Sequence, residues 1–294
     1  MELSAPAGTR PGGRYASWAP SVPRYVVADV DGTLIASGTT ATPVVADAVT
    51  VAHAAGLRVG FATGRLPVGL SDLHGQLGPS GPHIVHNGAQ VRFQGRPLRT
   101  WPIDPAAAVR LAELCRRERL YAEFFVGEGF WVSEHRDAML PHWEHVTGEP
   151  AGMIADLDLG ATEVIKASVV PFDGDELARC LPAVTELGLN TDTATSPLMP
   201  GITFVNVTAL EADKGRGVTF AAEHVGCGLD EVVAVGDGMN DLTMLCVVGT
   251  AIAMGQAPPA VHEVAHLVVP EAQDDGVAHA LLAAAQWRAE ALGD

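Results

Sequence analysis

The sequence predicts an α/β protein: a doubly wound parallel-sheet core, Rossmann-like in its alternation, with an inserted α+β domain. Three observations predict it. From Tyr25 onward, short apolar runs alternate with stretches of helical length and periodicity. The runs are continuous and rich in Val and Ile, as expected of strands buried on both faces of a parallel sheet. That rhythm lapses after Asn87-Gly88 and returns near Thr208, so the chain leaves the core and comes back to it. The resulting parse is a flexible leader (1–23), a core in two pieces (24–87 and 208–294) and an insertion (88–207).

The elements follow in order. The leader is rich in Ala, Gly, Pro and Ser and lacks the apolar stretch of a signal peptide. YVVAD, from Tyr25, reads as a buried strand, and Pro43 to Gly56 as a helix with Pro at its start and Gly at its end. LRVGFAT (57–63) is a second strand, LPVGLSDLHGQL a helix and HIVH (83–86) a third parallel strand. In the insertion, AQVRF and LRTW flank a QGRP turn as a hairpin, followed by a helix at 105–119 and strands at YAEFFV and GFWVS. Residues 137–163 carry no clear period; EVIKASVVPF, the helix DGDELARCLPAVTEL and GITFVNV follow them. The core resumes with a helix at 214–225 and the strand EVVAVGD. A helix, the strand GTAIAM, a helix from Pro258, HLVVP and a last helix toward Trp287 complete it.

Composition narrows the function. The chain has 294 residues, 48 % hydrophobic and 18 % charged, which is a globular balance. A net charge of −17 argues against a nucleic-acid partner and against an anionic membrane surface. It leaves room for a small phosphorylated ligand if a bound cation reverses the local field. Cys115, Cys180, Cys227 and Cys246 form no C-x-x-C pair, which reads as reduced thiols in a cytoplasmic protein.

Four short motifs carry the chemistry. In Asp29-Val30-Asp31-Gly32-Thr33 two carboxylates stand two residues apart at the carboxyl end of a strand, where side chains at that spacing share a face. A plain Asp-Gly turn is the alternative. A calcium loop is not, since the glycine comes two positions early and the twelfth position is Thr40 rather than Glu. Gly236-Asp237-Gly238-Met239-Asn240-Asp241 repeats the pattern after a second apolar strand; alone it could be a solvated loop. Carboxylates converging from two strands repel one another unless a divalent cation sits among them, and an all-oxygen set favours Mg²⁺ over zinc. Thr63-Gly64-Arg65 offers a hydroxyl and backbone N–H groups at a helix entrance, fit for an anion or for an ordinary cap. Lys214 opens a helix, where the helix dipole disfavours a cation.

Taken in order, DVDGT, Thr63 in ATGR, Lys214 and GDGMND resemble the four motifs of the haloacid dehalogenase (HAD) superfamily. The insertion after the second motif, with NGA at 87–89, and the tail IAMGQAPPAVHEVAHLVV resemble its Cof-type branch, type IIB, over roughly residues 24–290. One departure is Gln256, where the branch often has Asn. The resemblance implies a Mg²⁺-dependent phosphatase of small phosphorylated metabolites, sugar phosphates foremost. Asp29 would be the nucleophile that forms an aspartyl-phosphate. Asp31 would be general acid and base, partly buried, with a raised pKa. Thr63 and Lys214 would complete the catalytic set. Asp29, Asp31 (by its carbonyl), Asp237 and Asp241 would hold Mg²⁺, and Gly64, Arg65, Asn87 and Asn240 would bind substrate. Substrate choice would lie in the insertion, the cap, where Phe124, Phe125, Trp131, His135, Trp143 and Lys166 could line a pocket or be plain core. His142 and His145 are expected at the surface. Two other readings stay open: a sugar phosphomutase of the same superfamily, and a non-catalytic sugar-phosphate-binding regulator. An acid placed as Asp31 is placed favours turnover over the latter.

Overall fold

The computed structural model describes residues 10–14, 21–144, 148–196 and 199–293. The chain divides into two compact units: Met1–Gly64 with Leu70–Arg99 and Asp213–Asp294, and Arg65–Gly69 with Thr100–Ala212. The first unit is thus discontinuous in sequence, and its long break runs from Thr100 to Ala212.

In the first unit a six-stranded sheet runs in the order Arg10–Pro11, Leu267–Val268, Thr250–Ala253, Val232–Gly236, Tyr25–Ala28, Arg58–Phe61. The last five are parallel. Tyr25–Ala28 lies between Val232–Gly236 and Arg58–Phe61, and every residue in it is 0 % exposed. Helices Pro43–Ala54 and Gly276–Leu292 pack together over one face, where Val26, Ala28, Phe61, Ile252 and Trp287 share a core. The first of them starts where the sequence says it should: Pro43 occupies its first turn and Thr42 Oγ1 accepts the Val45 N–H at 3.2 Å. Strand order reverses beside Tyr25–Ala28, so the carboxyl ends of Tyr25–Ala28 and Val232–Gly236 open onto one crevice.

Three expectations change. The stretch read as a flexible leader holds an ordered strand, Arg10–Pro11, paired antiparallel to Leu267–Val268. The third strand is present as His83–Val85, but it meets the large sheet through an isolated parallel bridge from Ile84 to Ala62 rather than as a member of it. It pairs antiparallel with Gln90–Phe93 in a separate three-stranded sheet completed by Arg96–Thr100. The hairpin assigned to the insertion is thus tied to the core through His83–Val85. The helix expected from Leu66 is split: Pro67–Leu70 is a 3₁₀ turn, and the α-helix is Ser71–Leu77.

The second unit is a six-stranded sheet in the order Asn190–Ser196, Met199–Thr208, Lys166–Val170, Tyr121–Val126, Gly129–Val132, Gly152–Met153. Its pairs are antiparallel except the last. Helices Pro105–Glu118 and Gly174–Thr185 pack on one face, over Ala122, Phe124, Ala167, Val169, Val205 and Val207. The alternate residues form a second apolar layer with Tyr121, Phe125, Trp143 and Phe204. Asn190–Ser196 escaped the sequence reading because NTDTATS is polar throughout; its threonines still suit an edge strand.

Candidate active site

Asp29 follows the strand Tyr25–Ala28 directly and is 6 % exposed; its N–H donates to the Val235 carbonyl at 2.9 Å. One strand over, Val232–Gly236 ends in the turn that carries Asp237 and Asp241. Asp241 is 0 % exposed, because its Oδ2 accepts the N–H groups of Asp237 and Gly238 at 2.9 and 2.8 Å. Gly236 permits this: a Cβ there would lie 2.5 Å from the same oxygen. The carboxylates of Asp29, Asp237 and Asp241 each offer an oxygen within 4.8 Å of the others.

Lys214 enters from the helix Lys214–Val225 and is 1 % exposed. Its Nζ donates to Asp29 Oδ1 at 2.5 Å and to Asp241 Oδ1 at 2.6 Å. Burial works against the ammonium, yet the Asp241 and Asp29 carboxylates more than offset it and raise the Lys214 pKa. Burial also lifts the Asp29 carboxyl well above its usual range; Lys214 opposes this, while Asp241 and Asp237 push it further up. Asp237 is raised by burial and by Asp241. Three carboxylates against one ammonium leave the cluster short of positive charge. An oxygen-only donor set with that deficit fits a hard divalent cation.

Asp31 is placed differently from the expectation. The strand ends at Ala28, and Gly32 turns the chain at φ +83°, so strand alternation does not reach Asp31. Its side chain is exposed rather than partly buried and stands outside the carboxylate trio. Thr63 is 0 % exposed at the end of the neighbouring strand; its carbonyl accepts the Asn87 N–H at 3.0 Å. Gly64 abuts Asn87, whose Oδ1 would lie 2.5 Å from a Cβ at that position. Asn240 is half-buried in the Asp237 turn. Arg65 belongs to the second unit and donates from Nη1 to the Gly69 carbonyl at 3.2 Å.

Two residues of the site were missed. Thr33 Oγ1 donates to Asp237 Oδ1 at 3.2 Å. Gln256 stands out in the sequence only as a departure from the branch's usual Asn, yet its Nε2 donates to the Gly32 carbonyl at 2.6 Å and to Asp237 Oδ2 at 3.3 Å. Its Oε1 accepts the Ala272 N–H at 3.1 Å, which fixes the side chain's orientation. The closeness of GDGMND and MGQ in the sequence was the available signal.

In the second unit, Phe124 lies in the helix-covered core and Trp131 packs on its margin, which leaves both as structural residues. Phe125 and Trp143 fill the opposite layer, and His135 is exposed beside Asp137 at 3.6 Å. His142 is buried rather than at the surface: its ring lies 4.7 Å from that of Phe204, and burial lowers its pKa to about 4. His145 lies outside the described residues. Lys166 is buried near Phe125, its Nζ 5.4 Å from the ring centroid.

Residues 26–281 match the family model of the haloacid dehalogenase-like hydrolases. Pyridoxal phosphate phosphatase YbhA of Escherichia coli is 26 % identical over 268 residues, 87 % of this chain and 96 % of that one. The HMP-PP phosphatase of Citrobacter koseri is 28 % identical over 225 residues, 75 % of this chain and 80 % of that one. Among solved structures, the phosphatase BT1666 of Bacteroides thetaiotaomicron aligns with a TM-score of 0.73 at 25 % identity, covering 88 % and 94 % of the two chains. A HAD subclass IIB sugar phosphatase shares the fold at a TM-score of 0.74 and 24 % identity, covering 92 % and 99 %. The chain belongs to the haloacid dehalogenase-like hydrolases, in their Cof-type phosphatase branch. It is a phosphoric monoester hydrolase. Among the described residues no helix is long and apolar enough to cross a membrane.

Proposed function

We propose that the protein is a Mg²⁺-dependent phosphatase of small phosphorylated metabolites, sugar phosphates foremost, working through an aspartyl-phosphate on Asp29. The observation that carries this reading is the cluster of Asp29, Asp237 and Asp241 around the Lys214 ammonium. Asp29, Asp237 and Asp241, with the Asp31 carbonyl, would hold the cation, which neutralises charge on the phosphoryl oxygens when bound.

An Asp29 carboxylate oxygen attacks phosphorus as the bond to the leaving oxygen breaks, and Asp31 gives that oxygen a proton. Water then attacks the phosphorus of the aspartyl-phosphate, Asp31 takes the water's proton, and the Asp29 carboxylate departs. Exposure of Asp31 suits a group that must meet water and exchange protons with it. Lys214 opposes protonation of Asp29 and aims its carboxylate. Thr63, Gly64, Asn87 and Asn240 are the candidates to hold phosphoryl oxygens from the core. Substrate choice is assigned to the second unit, with Arg65 and Lys166 as its cationic candidates.

The test is phosphate release with Mg²⁺ from a panel of hexose and pentose phosphates, pyridoxal phosphate and a hydroxymethylpyrimidine pyrophosphate. Wild-type protein should release phosphate from at least one sugar phosphate, and Asp29→Asn should release none while keeping its circular-dichroism spectrum. Full turnover by Asp29→Asn would refute the nucleophile. Undiminished wild-type turnover after chelation would refute the metal.

A further inference from the structure

Lys214 opens a helix whose start is built against its own stability. The sequence there is Asp213-Lys214-Gly215-Arg216-Gly217, with a cation where the dipole repels it and two glycines that weaken a helix relative to alanine. Close packing accounts for the glycines. A Cβ on Gly215 would lie 2.5 Å from the Thr243 carbonyl oxygen, and one on Gly217 would lie 2.6 Å from Ile84 Cγ2. The first turn of the helix is thus clasped between Thr243, two residues past Asp241, and Ile84, next to Thr63 through the Thr63 N–H to Ile84 carbonyl bond of 2.9 Å.

A third side closes the clasp. After strand His83–Val85 the chain places three successive residues at positive φ: His86 at 53°, Asn87 at 55° and Gly88 at 99°. For His86 and Asn87 this backbone is strained and persists only where the surroundings enforce it. All three residues are buried, and Gly88 presses on the backbone of Asp213: a Cβ would lie 2.1 Å from its carbonyl carbon and 2.2 Å from its oxygen. No other residue could adopt φ near +99° there and also clear that carbonyl. The strained turn meets the chain one residue before Lys214.

We propose that Gly88 is a positioning residue for Lys214: the left-handed turn 86–88 fixes the height of Asp213 and so sets the ammonium between Asp29 Oδ1 and Asp241 Oδ1. The proposal rests on the catalytic part given to Lys214 above. Gly88 meets the backbone of Asp213, and its effect on the ammonium runs through that residue. A side chain at 88 would move the helix start, and a displacement of about 1 Å at such a site can cost on the order of 10²-fold in rate.

The experiment is a double-mutant cycle in the full-length protein with Gly88→Ala, Lys214→Met and the pair, read as kcat and KM with p-nitrophenyl phosphate and as urea midpoint without metal. Gly88→Ala should lower kcat at least tenfold, and should lower it no further in the Lys214→Met background. Where Lys214→Met leaves no measurable turnover, the urea midpoints carry the cycle: the loss from Gly88→Ala should be smaller in Lys214→Met than in the parent. Additive losses in both readouts, or a kcat that falls only in step with the folded fraction, would overturn the proposal. If Gly88→Ala does not fold, Gly215→Ala presses the same turn from the Thr243 side and should give the same non-additive pattern. A Lys214→Met protein with wild-type kcat would instead overturn the part assigned to Lys214, whatever the stability cycle shows.

Discussion

Lys214 Nζ stands 2.5 Å from Asp29 Oδ1 and 2.6 Å from Asp241 Oδ1, joining residues 185 and 27 positions apart in the chain. The ammonium is 1 % exposed, so it is the charge that lets two buried carboxylates coexist. Lys214→Met removes that charge and leaves both acids without it. Metal-free protein should lose about 3–5 kcal/mol of stability, the usual consequence of stripping one partner from a buried pair. Urea titration with chelator present measures this, and Mg²⁺ should restore part of the loss by supplying charge to the same oxygens. An unchanged midpoint would mean that the carboxylates are protonated in the absence of metal.

Gln256 orients Asp237 while being held in turn by Ala272. Residues that orient a metal ligand in this way typically change affinity by about 10–100-fold when removed. Gln256→Ala should therefore raise the Mg²⁺ concentration for half-maximal turnover by about tenfold or more, with kcat at saturating Mg²⁺ little changed. Gln256→Asn is one methylene shorter and should fall between. Titration of turnover against Mg²⁺ decides it, and an unchanged half-saturation point would reduce Gln256 to a loop tie between Gly32 and Ala272.

The core was legible because its signals are local. Short apolar runs marked Tyr25–Ala28, Arg58–Phe61 and Val232–Gly236, and Pro43 and Gly56 marked the two ends of a helix. The paired acids were found by type and spacing, but their geometry was not: the turn at Gly32 takes Asp31 out of the strand and into solvent. What stayed hidden depends on distant partners. Gln256 gains its meaning from Asp237, and Arg10–Pro11 becomes a strand only because Leu267–Val268 offers an edge. His142 looked like a surface histidine because nothing local announces the Phe204 ring against it.

The second unit should carry its own pH signature. Burial lowers the Lys166 pKa from 10.5 to about 8, with Glu123 and Asp192 opposing the shift and the buried His142 ring close enough to feel the charge. Between those two values the unfolded chain binds more protons at Lys166 than the folded one, so stability rises with pH across that window. The contribution is on the order of 3 kcal/mol when the window has been crossed. Lys166→Met should flatten the rise. Thermal midpoints from pH 7.5 to 10.5 for the two proteins test it, and parallel slopes would assign the rise to other groups.

The strand Arg10–Pro11 covers an edge that would otherwise be open. Arg10 pairs with Val268 and Pro11 with Leu267, and the following residues extend the seam: Gly12 N–H to the His266 carbonyl at 2.8 Å, Gly13 N–H to His262 at 3.0 Å and Arg14 N–H to Ala265 at 2.9 Å. Arg14 Nη2 also donates to the Leu245 carbonyl at 2.7 Å. An uncovered edge strand is a template for pairing with another chain. Removing residues 1–14 should speed amide exchange at Val268, which pairs with Arg10, by about tenfold or more, since each lost bond is worth about 0.5–1.5 kcal/mol. It should also promote concentration-dependent association, while turnover stays near wild type because the carboxylate cluster lies beyond the opposite side of Thr250–Ala253 in the strand order. A subtler variant avoids truncation: a Cβ on Gly12 would lie 2.4 Å from the Ala265 carbonyl oxygen, so Gly12→Ala should unseat the same segment and reproduce the faster exchange. Exchange rates and light scattering indistinguishable from the parent in both variants would show that the edge is closed by Leu267–Val268 and its flanks alone.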